Sequence, residues 1–338
     1  MTREALSDYD YHLPDEAIAQ EPLADRSASR LLVLHKDSGE IEHLSFKDVP
    51  RLLSRGDLLV LNDTRVTAVR VFGKKESGGG VEALLLSEIA EGVFEALAKP
   101  GRRLSAGTRV GFGDLRAEIL EVLDDGRRVI RFDPVPDLGG RLRKIGQVPL
   151  PPYITKHLAE AERYQTVYGA TAGSAAAPTA GLHFTDAMLA ELIEKGVGIA
   201  RVTLDVGLDT FRPIQSDDLD LHRMRGERCT VPEDTAEAVA RCRGRVIAVG
   251  TTSVRTLESS AAGPKIITPG TQTTSLFIRP GYRFKAIDGM FTNFHMPRTT
   301  MLLLISALAG REAVLRSYAQ ALDRGYRFLS FGDAMLIF

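Results

Sequence analysis

Five side chains with acid–base chemistry stand in segments of the sequence that have the composition of loops or turns. They are His183, Asp205, His222, Glu227 and His295. Histidine and carboxylate groups are the usual general acids and bases of enzymes, so each is a candidate catalytic residue. The same set could in principle bind a metal ion. Their spacings match no ligand signature, however, and we expect no metal.

The segment from Gly173 to Thr185 reads GSAAAPTAGLHFT and contains almost only small residues up to Gly181. Pro178 excludes it from a helix interior and from a central strand, so we predict a loop. Small residues let a ligand approach the backbone closely, which makes Thr179 and Gly181 candidate binding residues. The alternative interpretation is a long surface loop with solvated histidines.

The segment VIAVGTTSVRTLES, residues 246–259, is predicted to be a strand that runs directly into a helix. The free N–H groups and the dipole at such a helix start suit a phosphate or a carboxylate. Thr251, Thr252 and Arg255 are the candidate ligands there. The alternative is that the hydroxyl groups merely cap the helix. The segment is neither a Walker loop nor a GxGxxG motif.

A third segment, DGMFTNFHMPRTT, places Asn293 and His295 in a loop that ends at a proline. Its alternating polar and aromatic residues are typical of a strand end, where the sites of α/β sheets gather. A hydrogen-bonded structural loop is the alternative. We expect the Gly173–Thr185 loop and the Thr251–Arg255 helix start to face one pocket, and Asn293 to belong to the same ligand site.

The composition, with 338 residues of which 44% are hydrophobic and 26% charged, is that of a soluble globular protein. No run approaches the roughly 18 apolar residues of a membrane span, and the acidic start does not resemble a signal peptide. Two cysteines without CxxC spacing favour a reducing compartment, so we expect a cytoplasmic protein with no membrane partner.

The net charge of −1 gives no overall case for a nucleic-acid partner, but basic residues cluster locally. These clusters could contact phosphates, or they could simply be solvated. They comprise Arg102, Arg103, Arg127, Arg128, Arg141, Arg143, Lys144, Arg223, Arg225 and Arg228.

The hydrophobic pattern changes twice along the chain. Between about Val66 and Asp133, six short strand-like runs separated by turn residues predict a closed or nearly closed antiparallel barrel. Before it, residues 29–46 predict a hairpin, and after Tyr153 strands and helices alternate as in a largely parallel sheet. We therefore predict an α/β fold. A larger α/β domain made of residues 1–63 and 149–338 holds an inserted six-stranded antiparallel β-barrel at residues 64–148.

Three local predictions test this segmentation. Thr185 is expected to cap a helix with the sequence DAMLAELIEKG. TTSLFI and YRFKAI, residues 273–278 and 282–287, are expected to be strands. VPDLGG and VPLPPY are expected to be linkers, because proline cannot continue a sheet.

Eight segments together resemble one known family. They are DYHLPDEAIAQEPLADRSASRLLVL, LNDTRV, VPLPPYI, YQTVYG, AAPTAGLHFT, VGTTSVRTLES, DGMFTNFHMPRTT and FLSFGDAMLIF. In this order, and nearly end to end, the chain is similar to the S-adenosylmethionine:tRNA ribosyltransferase-isomerases of queuosine biosynthesis. The resemblance implies a six-stranded barrel inserted into a larger α/β domain, in agreement with the predicted segmentation.

The resemblance also implies an activity. The ribosyl portion of S-adenosylmethionine, which is a co-substrate here, would pass to a tRNA whose wobble base is 7-aminomethyl-7-deazaguanine. Epoxyqueuosine would form, and adenine and methionine would leave. Such chemistry needs a base near the acidified 5′-carbon, help for the departing adenine and a site for the methionine carboxylate. We expect no true cofactor and, for the oligomeric state, a monomer.

The chain departs from the family pattern at three positions. Asp205 and Asp209 stand in TLDVGLDTF where the family usually has His and Gly, and Arg225 replaces the second His of HxMHxE. These changes leave open an alternative function, a catalytically impaired tRNA-binding relative. Because one acid and one base replace two histidines, we predict an ion pair between Asp205 and Arg225 beside His222 and Glu227.

Overall fold

The computed structural model describes residues 5–207, 214 and 217–338. The chain forms two compact units. The α/β unit comprises residues 1–64, 151–171 and 177–338, and the barrel unit comprises residues 65–150 and 172–176. The domain boundaries predicted after residues 63 and 148 remain a prediction.

The structure contains the following strands and α-helices in its described residues. The strands are β1 Arg30–Leu34, β2 Ile41–Ser45, β3 Leu58–Asn62, β4 Thr64–Val66, β5 Val69–Lys75, β6 Gly80–Ala90, β7 Val93–Lys99, β8 Arg109–Phe112, β9 Leu115–Val122, β10 Arg128–Phe132, β11 Thr171–Ser174, β12 Gly198–Leu204, β13 Glu227–Val231, β14 Val246–Val249, β15 Ala261–Gly263, β16 Ile266–Ile267, β17 Gly270–Thr274, β18 Gly289–Asn293 and β19 Ala334–Ile337. The α-helices are α1 Val49–Leu52, α2 Leu138–Ile145, α3 Asp186–Glu194, α4 Glu233–Arg241, α5 Gly250–Ser259, α6 Thr300–Ala309 and α7 Arg311–Asp323.

The α/β unit is built on a nine-stranded sheet in the order β17-β13-β12-β3-β14-β18-β19-β1-β2. The pairs β12–β3, β3–β14, β14–β18 and β19–β1 are parallel. The other four pairs are antiparallel. The sheet is therefore mixed, and the prediction of a largely parallel sheet was wrong. The reason is that β1–β2 is a hairpin, as predicted, that the C-terminal strand β19 runs antiparallel to β18, and that β13 and β17 add two antiparallel pairs at the other edge.

Two local predictions for the α/β unit had different outcomes. Helix α3 begins as expected, with the Thr185 hydroxyl accepting a hydrogen bond of 3.1 Å from the Met188 N–H. In contrast, only the first two residues of the strand predicted at 273–278 lie in a strand, β17, and residues 282–287 form no strand. Their backbone has other partners, because the buried Glu258 carboxylate accepts hydrogen bonds from the N–H groups of Lys285 and Ala286. This side chain takes the role that a neighbouring strand would have had.

The barrel unit contains a closed barrel in the order β10-β7-β6-β5-β8-β9, in which each neighbouring pair is antiparallel. All six predicted strand runs are present, and the only helical feature described between residues 66 and 133 is a 3₁₀ turn at Gly101–Arg103. The interior is apolar, with Val71, Phe112 and Ile130 fully buried. Helix α2 follows in place of part of the expected linker, because Asp137 caps it by accepting a bond of 3.1 Å from the Gly140 N–H.

Among the described residues, no helix is both long enough and apolar enough to cross a membrane.

Candidate active site

A small cavity opens in the α/β unit. Three segments form most of its wall: residues 177–180, the start of α5 at residues 250–252, and residues 292–296 at the end of β18. Tyr153, Val206, Thr299, Met301, Leu329 and Ser330 complete it. The prediction that the Gly173–Thr185 loop and the start of α5 face one pocket is confirmed for these residues.

The sheet topology brings these segments together. Strands β14 and β18 are parallel neighbours, so the chain leaves both at the same edge of the sheet. Helix α5 begins directly at the end of β14, and Gly250 makes this abrupt turn with a φ of +86° that favours glycine. Polar residues at the carboxyl ends of adjacent strands thus meet in one crevice, as is typical of α/β sheets.

The start of α5 has features of an anion site. The first N–H groups of any helix have no intrahelical partner, and no side chain caps the start of α5. The Thr252 hydroxyl is buried at the cavity wall and has no hydrogen-bond partner among the described residues. The alternative interpretation, in which these hydroxyl groups cap the helix, is therefore wrong. A negatively charged ligand group would satisfy both the N–H groups and the hydroxyl.

A chain of hydrogen bonds runs from the cavity wall into the unit. The Thr179 hydroxyl donates to the Asn293 side-chain oxygen over 2.9 Å, which turns the Asn293 amide nitrogen towards His183 Nε2 at 3.4 Å. Because that amide nitrogen can only donate, His183 Nε2 must accept. The proton then sits on Nδ1 and faces the Ser29 hydroxyl at 2.8 Å. These contacts place the proton of neutral His183 on Nδ1. Its Nε2 then holds the Asn293 amide in position.

Both buried histidines near the cavity are neutral at physiological pH. Burial lowers the pKa of His183 to about 4, with its ring packed 5.0 Å from that of Phe46. Burial likewise lowers the pKa of His295 to about 3. His295 lines the cavity, and its Nε2 lies 2.7 Å from the Thr292 hydroxyl. Of the five candidate catalytic residues, His295 is the one at the cavity wall.

Glu227 and Arg255 form a buried ion pair and do not line the cavity. Glu227 also accepts a bond of 3.1 Å from the Gly207 N–H, and Arg255 Nε donates to the Leu276 carbonyl over 3.1 Å. These contacts give the pair a structural role behind the helix start. The direct ligand contact predicted for Arg255 remains a prediction.

The remaining acid–base candidates, Asp205 and His222, do not line the cavity either. Burial raises the pKa of Asp205, and its charged neighbours are Arg228 and Glu227. Asp205 makes no ion pair with Arg225, although both residues are described, so the predicted pair is wrong. The His222 ring packs 5.0 Å from the Phe277 ring, and burial together with Arg223 lowers its pKa. Asp209 lies outside the described residues.

Sequence reasoning missed Tyr153 and Ser330, whose hydroxyl oxygens lie 2.7 Å apart at the cavity wall. Burial raises the pKa of Tyr153 to about 12. Both residues fall in segments that carry the family resemblance, but no spacing marked them as polar site residues. Gly181 does not line the cavity. Its missing side chain instead makes room for the Tyr168 hydroxyl, since a Cβ there would overlap it.

Within residues 5–207, 214 and 217–338, no three His, Cys, Asp or Glu side chains are grouped so that they could hold a metal ion.

A family model described as queuosine biosynthesis protein matches residues 6–337. The chain belongs to this queuosine biosynthesis family. A protein of Heliobacterium modesticaldum named S-adenosylmethionine:tRNA ribosyltransferase-isomerase is 52% identical, over 97% of this chain and 98% of that protein. A protein of the same name from Acetivibrio thermocellus is 49% identical, over 98% and 99%. The crystal structure of S-adenosylmethionine tRNA ribosyltransferase from Thermotoga maritima is similar with a TM-score of 0.56 at 36% identity, over 98% of this chain and 100% of that one.

Proposed function

We propose that this protein transfers and isomerises the ribosyl moiety of S-adenosylmethionine to 7-aminomethyl-7-deazaguanine at the wobble position of tRNA. The products are epoxyqueuosine in tRNA, adenine and methionine. Membership of the queuosine biosynthesis family and relatives of about half identical sequence support this reaction. We also expect the protein to act in the cytoplasm, as a monomer, with S-adenosylmethionine as co-substrate and no metal.

The observation that carries the assignment of the site is the uncapped start of α5. Free S-adenosylmethionine ends in a carboxylate, and the reaction releases it within methionine. We infer that this carboxylate binds the N–H groups of residues 250–252 and the Thr252 hydroxyl, which lacks another partner among the described residues. Thr251 lines the same end of the cavity.

The remaining polar groups of the wall suit the rest of the co-substrate. Thr179 and Asn293 are already joined by a hydrogen bond and would contact the ribosyl hydroxyl groups. His295 is the candidate base for the 5′-carbon, because it is the one candidate histidine that lines the cavity. The hydroxyl groups of Tyr153 and Ser330 are candidate donors to the departing adenine.

The test is a reaction of the purified full chain with S-adenosylmethionine and a tRNA that carries 7-aminomethyl-7-deazaguanine. Mass spectrometry of the nucleosides should reveal epoxyqueuosine, with adenine released in equal amount. Thr252→Val should raise the KM for S-adenosylmethionine about tenfold and leave kcat nearly unchanged, because it removes a hydrogen bond to a charged group. Thr256→Val is the matched control, since the Thr256 hydroxyl bonds the Thr252 carbonyl within the helix.

Two outcomes would contradict parts of this proposal. An unchanged KM in Thr252→Val would place the carboxylate elsewhere. Binding of the tRNA without any product would favour the alternative, a catalytically impaired tRNA-binding relative, for which the departures Asp205 and Arg225 are the motivating observation.

A further inference from the structure

The barrel unit carries an open groove that combines an exposed aromatic ring with positive charges. Phe72 of β5 is 52% exposed and lines this groove with Lys74, Lys75 and Arg116. Glu76 is the one carboxylate in the described lining, and glycines fill the remainder. A single exposed apolar residue is ordinary on a protein surface. An aromatic ring among cations, however, is the combination that single-stranded nucleic acids bind.

The strand register explains why the groove exists. Lys74 of β5 pairs with Gly111 of β8, and Gly111 pairs in turn with Arg116 of β9. Because side chains alternate along a strand, Phe72 and Lys74 share the outer face. Gly111 has no side chain to separate the two cations. The Arg116 guanidinium lies over it, with Nη1 2.7 Å from the place where a Cβ of residue 111 would stand.

The cations of this groove have no carboxylate partner, although Arg116 Nη1 makes long contacts of 3.4 Å to the carbonyls of Gly113 and Leu115. Across the described part of the chain, Lys74, Lys75 and Arg116 take part in no ion pair. Other barrel arginines do: Arg127 pairs with Glu95, and Arg131 pairs with Glu118. A cation without a carboxylate partner keeps its attraction for phosphate. What distinguishes this groove from other unpaired cations of the barrel is the exposed Phe72 ring that lies among its charges.

We propose that this groove binds a single-stranded stretch of the tRNA substrate. One base stacks on the Phe72 ring, and Lys74 and Arg116 hold the adjoining phosphates. The inference rests on the proposed function, in which tRNA is the acceptor. An RNA fits better than an acidic protein because unstacked bases offer flat faces to an exposed ring while their phosphates lie within reach of cations.

The test measures the affinity of the full chain for the tRNA by fluorescence anisotropy at several salt concentrations. Phe72→Ala should weaken binding about tenfold without changing the salt slope, whereas Phe72→Tyr should bind like the natural chain. Lys74→Gln and Arg116→Gln should each lower the salt slope by about one. The matched control is Ile89→Ala, because Ile89 is also 52% exposed on the barrel but does not line the groove.

Each outcome decides between the two proposals. If the natural chain binds and modifies tRNA but Phe72→Ala behaves like Ile89→Ala, the stacking inference is wrong and the proposed function stands. Unchanged salt slopes in both charge variants would also remove the groove from the interface. If the natural chain binds no tRNA at all, the proposed function and the groove are both wrong. In every variant the KM for S-adenosylmethionine should stay unchanged, because the cavity belongs to the other unit.

Discussion

The α/β unit buries many charged and titratable groups, whereas the barrel unit keeps nearly all of its charges at the surface. Asp57, Glu227, Arg255, Glu258 and Asp333 are buried in the former. In the described barrel unit, Arg128 is the only charged residue that is buried. Burying a charge costs several kcal/mol unless it is paired and hydrogen-bonded, so such groups accumulate where geometry must be held. The cavity lies in the unit that accepts this cost.

Removing one partner of a buried ion pair should have the largest effect on stability. It is also the most direct test of the difference in charge burial between the two units. Glu227→Ala leaves Arg255 buried without its carboxylate, and we expect the free energy of unfolding of the α/β unit to fall by about 3–5 kcal/mol. In the barrel unit, Glu95→Ala should cost less than about 1 kcal/mol, because its pair with Arg127 is partly exposed. Urea denaturation read by hydrogen exchange, peptide by peptide, measures both. Equal losses would refute the contrast.

The histidine part of the acid response should fall on one unit, because all 7 histidines of the chain lie in the α/β unit. His183 and His295 have folded pKa values of about 4 and about 3, below their ordinary value near 6.5. The unfolded chain therefore binds protons first, so their contribution is intact above about pH 6.5 and is lost as the pH falls towards the folded values. At pH 5, each of these two histidines should lower the free energy of unfolding by about 2 kcal/mol relative to pH 7.

The measurement for this second prediction compares the free energies of unfolding of both units at pH 7 and pH 5. The α/β unit should lose stability, and His183→Gln should lose less between the two pH values than the natural chain does. His43→Gln is the control, because His43 is only partly buried and faces the Tyr326 hydroxyl. A parallel loss in both units would show that carboxylates, and not these histidines, set the acid response.

Arg128 is the one buried charge in the described barrel unit, so it tests whether a buried charge has a structural role there too. It is one of the basic residues for which phosphate contact was considered, but its guanidinium is buried and donates to the carbonyls of Gly101, Leu104 and Gly126. Arg128→Ala should therefore destabilise the barrel by about 2 kcal/mol and leave the salt slope of tRNA binding unchanged. Arg102→Ala, at an exposed position, should leave stability unchanged. A lower salt slope in Arg128→Ala would restore the original prediction.

A smaller effect is expected from the hydrogen-bond chain behind the cavity. His183→Ala frees the Asn293 amide, and kcat/KM should fall about tenfold because a positioned ligand contact is lost. The pH–rate profile near neutrality should keep its shape, since His183 is already neutral there. Ser29→Ala should have a weaker effect. Loss of one limb of the profile would instead make His183 a proton carrier.

The smallest expected effect concerns Asp205 and Arg225. They form no ion pair with each other, so the effects of Asp205→His and Arg225→His on turnover should add to within about 0.5 kcal/mol. A double-mutant cycle of kcat/KM measures this coupling. A coupling above about 1 kcal/mol would show that the two family departures act as a unit after all.

Local sequence determined much of this protein. The six barrel strands were predictable because turn residues such as Asp125-Gly126 separate short runs of strand residues, and both signals are local. The start of α5 was predictable for the same reason, because an apolar strand passes directly into hydroxyl residues. The polar residues at the ends of β14 and β18 could be expected to meet, since parallel strands expose their carboxyl ends at one edge of a sheet.

Tertiary structure alone decided the rest. Which histidine lines the cavity depends on packing between segments that are far apart in the chain. His183, for example, is held behind the cavity wall by its contact with Ser29. No local pattern predicts that Glu258 binds the backbone of residues 285 and 286, so a strand-like sequence there became a loop. Arg128 and the cations beside Phe72 all lie in barrel strands. Burial and strand register give one a structural role and leave the others open to a ligand.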